Sequence, residues 1–294
     1  MESIKTVRIL VFIIAIISAI ATSVAIFSQD GPGSYQYKSI RGHEVTIYGK
    51  GLYRDMSAEV APQGIAQDII TLVAGIPLLI ISFLMTRKGS LKGRFLLAGT
   101  LGYFLVTYLF YLVMGMYNMM YLGYVILLGA SFFAFFSIMQ TFRLTTLSHS
   151  FKIDTSIRFS SGFLMFNSVA IAFLWLSIVI PPLLDGTIVP LQVEHYTTLI
   201  VQGLDLAILL PAGLISGLFL WQRKSAGYLF APVYLVFLSL LMTALSAKVI
   251  AMGLLGYNVI PVIFIIPVFN ILALICTVLL MKSIRERVLI IDND

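Results

Sequence analysis

The chain has one cysteine, three histidines and very few charges, 11% of 294 residues. Each scarcity excludes something. The lone Cys276 has no partner in the chain, so neither an internal disulfide nor a multi-cysteine metal site can form. No histidine falls inside a long apolar run, so haem ligated within a bilayer is unsupported. HExxH, GxSxG, CxxC and Walker-type spacings are all missing, which turns the reading toward a non-enzyme and leaves any cofactor unknown. So little charge beside 60% hydrophobic residues is incompatible with a soluble domain. The net charge of +6 does not point to nucleic acid, because the basic residues lie between apolar runs rather than on one solvent face.

What the sequence does have is apolar length. A helix crosses about 30 Å of hydrocarbon with roughly 20 apolar residues. Eight segments qualify, near 7–28, 64–86, 95–115, 119–142, 159–182, 198–221, 228–252 and 259–281. The runs are continuous, which favours helices over the alternating ten-residue segments of a barrel. The expected fold is therefore an all-α membrane protein, a single polytopic unit whose first partner is the lipid bilayer.

Lys and Arg are retained on the cytoplasmic side of connections. Lys5, Arg8, Arg87, Lys88, Lys92, Arg94, Arg143, Lys152, Arg158, Arg223, Lys224, Lys282, Arg285 and Arg287 all fall on one side. Only Lys38, Arg41, Lys50 and Arg54, in the 29–63 loop, fall on the other. This places both termini in the cytoplasm and the 29–63 loop outside a plasma membrane. The alternative is a cleaved signal peptide ending in the small residues of "AIATSVA", but the first apolar run is longer than the usual 7–15 residue core.

Within the outer loop, "EVTIY" and "LYRD" are β-prone runs separated by "GKG", which predicts a small hairpin lying on the helix ends. Tyr48 and Tyr53 suit the headgroup level. As a plain lid the loop closes the bundle; a sharper reading joins His43 and Glu44 to Glu194 and His195 of the next long outer loop, ligand types that suit a divalent metal on an outer-face metalloenzyme.

Three ionisable side chains fall inside spans: Asp68, Asp205 and Lys248. A charge at that depth costs at least about 2.5–3.5 kcal/mol and is kept where it faces a cavity or a partner. Gln67, Asp68 and Thr71 share one helical face, as do Gln202 and Asp205. Two accounts stay open. Asp205 and Lys248 form a buried pair that sets helix packing, or Asp68 and Asp205 line one cavity that binds a small polar solute or ion. Tyr103, Thr107 and Tyr111 form a stripe suited to interhelical hydrogen bonds.

Two stretches look alike, "QDIITLVAGIPLLIISFLMTRKGSLKG" from Gln67 and "LDLAILLPAGLISGLFLWQRKSAG" from Leu204. Each has an Asp at the outer end, a Pro within the span and Arg-Lys at the inner end. Two parallel four-helix halves, 1–142 and 143–294, would make Asp68 and Asp205 equivalent.

Over residues 46–125, through "YGKGLYRD", "QDIITLVAGIPLLIISFLMTRKGSLKGRFLLAGTLGY" and "MYN", the chain resembles a group of uncharacterised bacterial multi-pass membrane proteins. The resemblance implies no activity. It implies that the outer loop, the Gln-Asp start of the second span and the basic inner turn belong together around one outer-facing site. Set against transport is a sensor or assembly subunit that binds a protein partner through the outer loop.

Overall fold

Eight long apolar helices form one bundle in the computed structural model, which describes residues 2–152 and 155–286. They are α1 (Glu2–Phe27), α2 (Val60–Arg87), α3 (Leu91–Val113), α4 (Tyr121–Met139), α5 (Thr155–Asp185), α6 (Ile200–Trp221), α7 (Ser225–Leu254) and α8 (Val262–Ser283). Each is long and apolar enough to span a membrane, so the protein is an all-α, eight-span membrane protein. Arg287, counted among the basic residues above, lies outside the described residues.

α7 occupies the middle, packed against α3, α6, α8 and the start of α2. Residues 231–240 are buried without interruption, as expected of a helix that is apolar on every side. α2 and α4 pack against α3 on one flank, with α1 against α4 and α2, while α5 joins α6 and α8 on the other. The Gly213 and Gly217 pair of α6 lies against α5, where a Cβ would come within 2.6 Å of Ser168 Oγ and 2.9 Å of the Ser161 carbonyl oxygen.

The hairpins α2–α3 and α6–α7 are built alike. Pro77 and Pro211 have no N–H for the carbonyl four residues back, and their rings crowd it. Just upstream, each helix widens into a five-residue π turn, Thr71–Gly75 and Asp205–Leu209. At the far end, Gly89 and Arg223 take left-handed φ values of 82° and 56°. Ser90 N–H then reaches the Met85 carbonyl at 3.2 Å, and Lys224 N–H that of Phe219 at 2.9 Å, closing both helices in the same way. All these correspondences keep one constant spacing along the chain. That spacing sets Asp68 opposite Gln202 and Asp205 opposite Thr71, so the two acids are one helical turn out of register rather than equivalent.

The 29–63 segment forms a lid over one end of the bundle. Its hairpin pairs β1 (Tyr35–Lys38) with β2 (Glu44–Ile47), antiparallel, Tyr35 opposite Ile47. "EVTI" is thus a strand, but its partner is upstream. "LYRD" instead curls into a short 3-10 turn, Gly51–Tyr53, because Gly49 and Gly51 both have positive φ. Gly49 also makes close contact with the backbone of Gly33: a Cβ there would lie 1.8 Å from the Gly33 carbonyl oxygen. Val45 and Ile47 point inward and Glu44 and Thr46 outward, the period of a half-buried strand. Leu52, Tyr53 and Met56 pack with Ala25 and Ala61, fixing the lid to α1 and α2.

At the opposite, basic end, Glu286 receives hydrogen bonds from Ser90 Oγ, Leu91 N–H and Lys92 N–H at 2.7, 2.9 and 3.1 Å. A carboxylate there satisfies orphan donors and complements the positive end of α3.

Candidate functional site

Asp68 faces inward from α2 near the lid end and is 2% exposed. Two tyrosines hold it. Tyr53 Oη donates from the lid at 2.5 Å, and Tyr111 Oη donates from α3 at 3.1 Å while also lying 3.2 Å from the Gly64 carbonyl. Tyr53 is therefore a buried ligand of the carboxylate rather than a headgroup residue. Burial, and then the charge of Asp68, push its phenol well above the usual tyrosine range.

A second layer lies beside it. Gln67 Nε2 donates to Tyr103 Oη at 2.8 Å and approaches Thr107 Oγ1 at 3.3 Å. Thr71 Oγ1 donates to the Gln67 carbonyl at 2.9 Å and pairs with Tyr103 Oη at 2.8 Å. The stripe on α3 is thus used for helix–helix hydrogen bonding. The layer is incomplete: Gln67 Oε1 and the hydroxyls of Tyr108 and Tyr124 are buried without a partner. The Tyr124 hydroxyl lies near Tyr53 and Asn118 without completing a bond to either.

Asp205 begins the π turn of α6, half-buried, and accepts a hydrogen bond from Trp175 Nε1 of α5 at 2.8 Å. Lys248, also half-buried on α7, lies within electrostatic reach of both Asp68 and Asp205. It closes an ion pair with neither: among the described residues the one such pair within 4 Å is Arg54 with Asp55, on the surface. Of the two accounts left open above, the close Asp205–Lys248 ion pair is not formed, and the lysine is within electrostatic reach of both acids. Gln202 is half-buried and takes part in none of these hydrogen bonds.

The two lid-end loops do meet, and of the His-Glu residues His195 is among the contacts that join them. Arg41 donates to the carbonyls of Tyr196 and Thr197 at 2.9 and 3.0 Å, and Ser57 N–H donates to Tyr196 Oη at 3.2 Å. His195 Nε2 lies 3.2 Å from the Asp55 carbonyl oxygen. His43 and Glu44 stay exposed on the hairpin. No group of three or more His, Cys, Asp or Glu side chains able to hold a metal occurs among the described residues. Glu194 Oε2 and His195 Nδ1 are buried and unpartnered. Burial, with Glu59 nearby, raises the Glu194 carboxyl, and burial lowers the His195 imidazole. Burial also pushes the Tyr196 phenol up to about 12.

Sequence reasoning assigned none of Tyr53, Tyr124 and Trp175 to the site. Nothing local marks Tyr53, since its partner lies on another element. Trp175 did carry a signal: an indole N–H in an apolar span needs an acceptor.

No family model, no curated protein and no solved structure matches the chain.

Proposed function

We propose that this protein is a plasma-membrane transporter of a small polar solute or ion, with both termini cytoplasmic and the lid outside. The observation that carries the reading is the sharing of Lys248 by Asp68 and Asp205. One positive charge cannot neutralise two carboxylates, and uncompensated charge at membrane depth is expensive. The site therefore favours one more cation or proton, which is what a binding step of transport requires. Tyr53 covers Asp68 from the outside, so this conformation is closed to the outer solution and opens by lifting the lid.

The test is flux through proteoliposomes, read with a pH-sensitive dye under a proton gradient and with isotope tracers under sodium, potassium and ammonium gradients, each against protein-free liposomes. The wild-type protein is expected to pass at least one of them, and Asp68→Asn and Asp205→Asn to abolish that flux at unchanged abundance in the membrane. Equal loss of the variants from the membrane would support a packing role instead, and a wild-type protein silent to all four would remove the reading for these ions.

A sensor or assembly subunit is the second reading, favoured by the apolar side chains the lid displays. Ile40, at the hairpin tip, is 85% exposed, and Tyr35 and Tyr37 stand exposed on β1.

A further inference from the structure

We infer that the cleft between the end of α3 and the start of α4 binds an ammonium group, cradled by tyrosine rings with Asp68 behind them as counter-charge. This names the substrate class of the site proposed above and rests on that reading for passage across the membrane, though not for binding.

The cleft has a volume of about 170 Å³ and is lined by Tyr111, Tyr117, Tyr121, Tyr124, Asn118 and Met116, with no Lys or Arg in its wall. Pockets for drug-sized ligands run from roughly 300 to 1,000 Å³, so the occupant here is a few heavy atoms in size. Two ring pairs shape the wall. Tyr117 and Tyr121 lie 4.9 Å apart at 32°, and Tyr111 and Tyr124 lie 5.4 Å apart at 77°.

Two features of the cleft favour a cation. Aromatic faces are negative and attract cations. Behind the wall stands the Asp68 carboxylate, bonded to Tyr111 and within electrostatic reach of Tyr124, with Lys248 too distant to close an ion pair with it. The dipole ends of α3 and α4 that meet at the cleft are opposite and offset one another. An anion would face the rings and the carboxylate. A compact cation suits both, whether it is a free amine or the ammonium of a lipid headgroup.

The experiment is calorimetric titration of the full chain in nanodiscs with choline and, separately, with its neutral carbon isostere dimethylbutanol. Choline is expected to bind and the isostere not. Tyr117→Ala, at an exposed position that the fold does not need, should weaken choline roughly 3- to 30-fold, the range of one cation–π contact. Asp68→Asn should weaken it at least as much. In phosphatidylethanolamine nanodiscs, apparent choline affinity lower than in nanodiscs of an uncharged glycolipid that lacks an amine identifies the lipid headgroup as the resident amine; equal affinity identifies a soluble one. Equal binding of the isostere, indifference to both substitutions, or absence of choline binding overturns the inference. Choline binding without flux in the proteoliposome assay would leave this cleft standing and remove transport, whereas ion flux without choline binding would do the reverse.

Discussion

Tyr53, in the lid, donates its phenolic proton to Asp68, in the second span, at 2.5 Å, so lid and buried carboxylate form one unit. Removing that donor leaves a buried oxygen short of a partner, at a cost of about 1–3 kcal/mol. Tyr53→Phe should lower stability by that order and make the 29–63 segment more open to protease. Tyr111→Phe should cost less, because its longer bond is shared with the Gly64 carbonyl. Thermal unfolding of the two variants in the same detergent checks the order.

Glycine positions in the lid separate strain from collision. Gly42 and Gly49 have φ values of 84° and 74°, but only at Gly49 would a Cβ strike backbone, that of Gly33. Gly42→Ala is expected to cost about 1–2 kcal/mol for the left-handed conformation and to leave the lid folded. Gly49→Ala is expected to undock it. Limited proteolysis between residues 29 and 63 distinguishes the two.

Contact between the two lid-end loops should depend on pH through His195. Burial lowers its imidazole below the ordinary 6.5, so the separated loops bind the proton more readily than the docked ones. The contribution to docking is therefore complete above pH 6.5 and fades as pH falls through the lowered value. Protection from hydrogen exchange in residues 186–199, taken relative to the intrinsic amide rate at each pH, should fall between pH 7.5 and pH 5.5 in the wild type. His195→Gln should flatten that fall. Glu194, raised from its ordinary 4.5, acts in the opposite sense, its contribution being lost as pH rises, so a Glu194→Gln background sharpens the measurement.

At the basic end, burial alone would raise the Glu286 carboxyl, but the hydrogen bonds from Ser90, Leu91 and Lys92, with the Lys92 charge, outweigh it and lower the value below the ordinary 4.5. The anchor this residue makes is thus fully formed above pH 4.5 and weakens on acidification below it. Glu286→Gln should loosen the Ser283–Glu286 segment at neutral pH, read as faster trypsin cleavage after Arg285, and acid should produce little further change in that variant.

The spans were legible because burial in lipid demands unbroken apolar length, a property of contiguous residues. Asp68, Asp205 and Lys248 were legible for the converse reason, as charges out of place. What could not be read were relationships set by the third dimension. Lys248 was matched with Asp205 because both sit near the same ends of neighbouring helices; the central position of α7 brings Asp68 within reach as well. "GKG" resembled a hairpin turn, yet the packing of Gly49 on Gly33 sends the chain elsewhere. The likeness of the two hairpins was visible, but aligning them on their aspartates hid a register that only the π turns and the left-handed residues at Gly89 and Arg223 reveal.

Those widened turns have a consequence for how α2 and α6 tolerate change. Each takes up one surplus residue, so the stretch before it is out of phase with the stretch after it by about 100°, the angular step of a single helical residue. Losing any one residue from Thr71–Gly75 would cancel that offset and swing the carboxylate of Asp68 around the helix axis, away from both phenols, while the apolar length of the span stayed nearly the same.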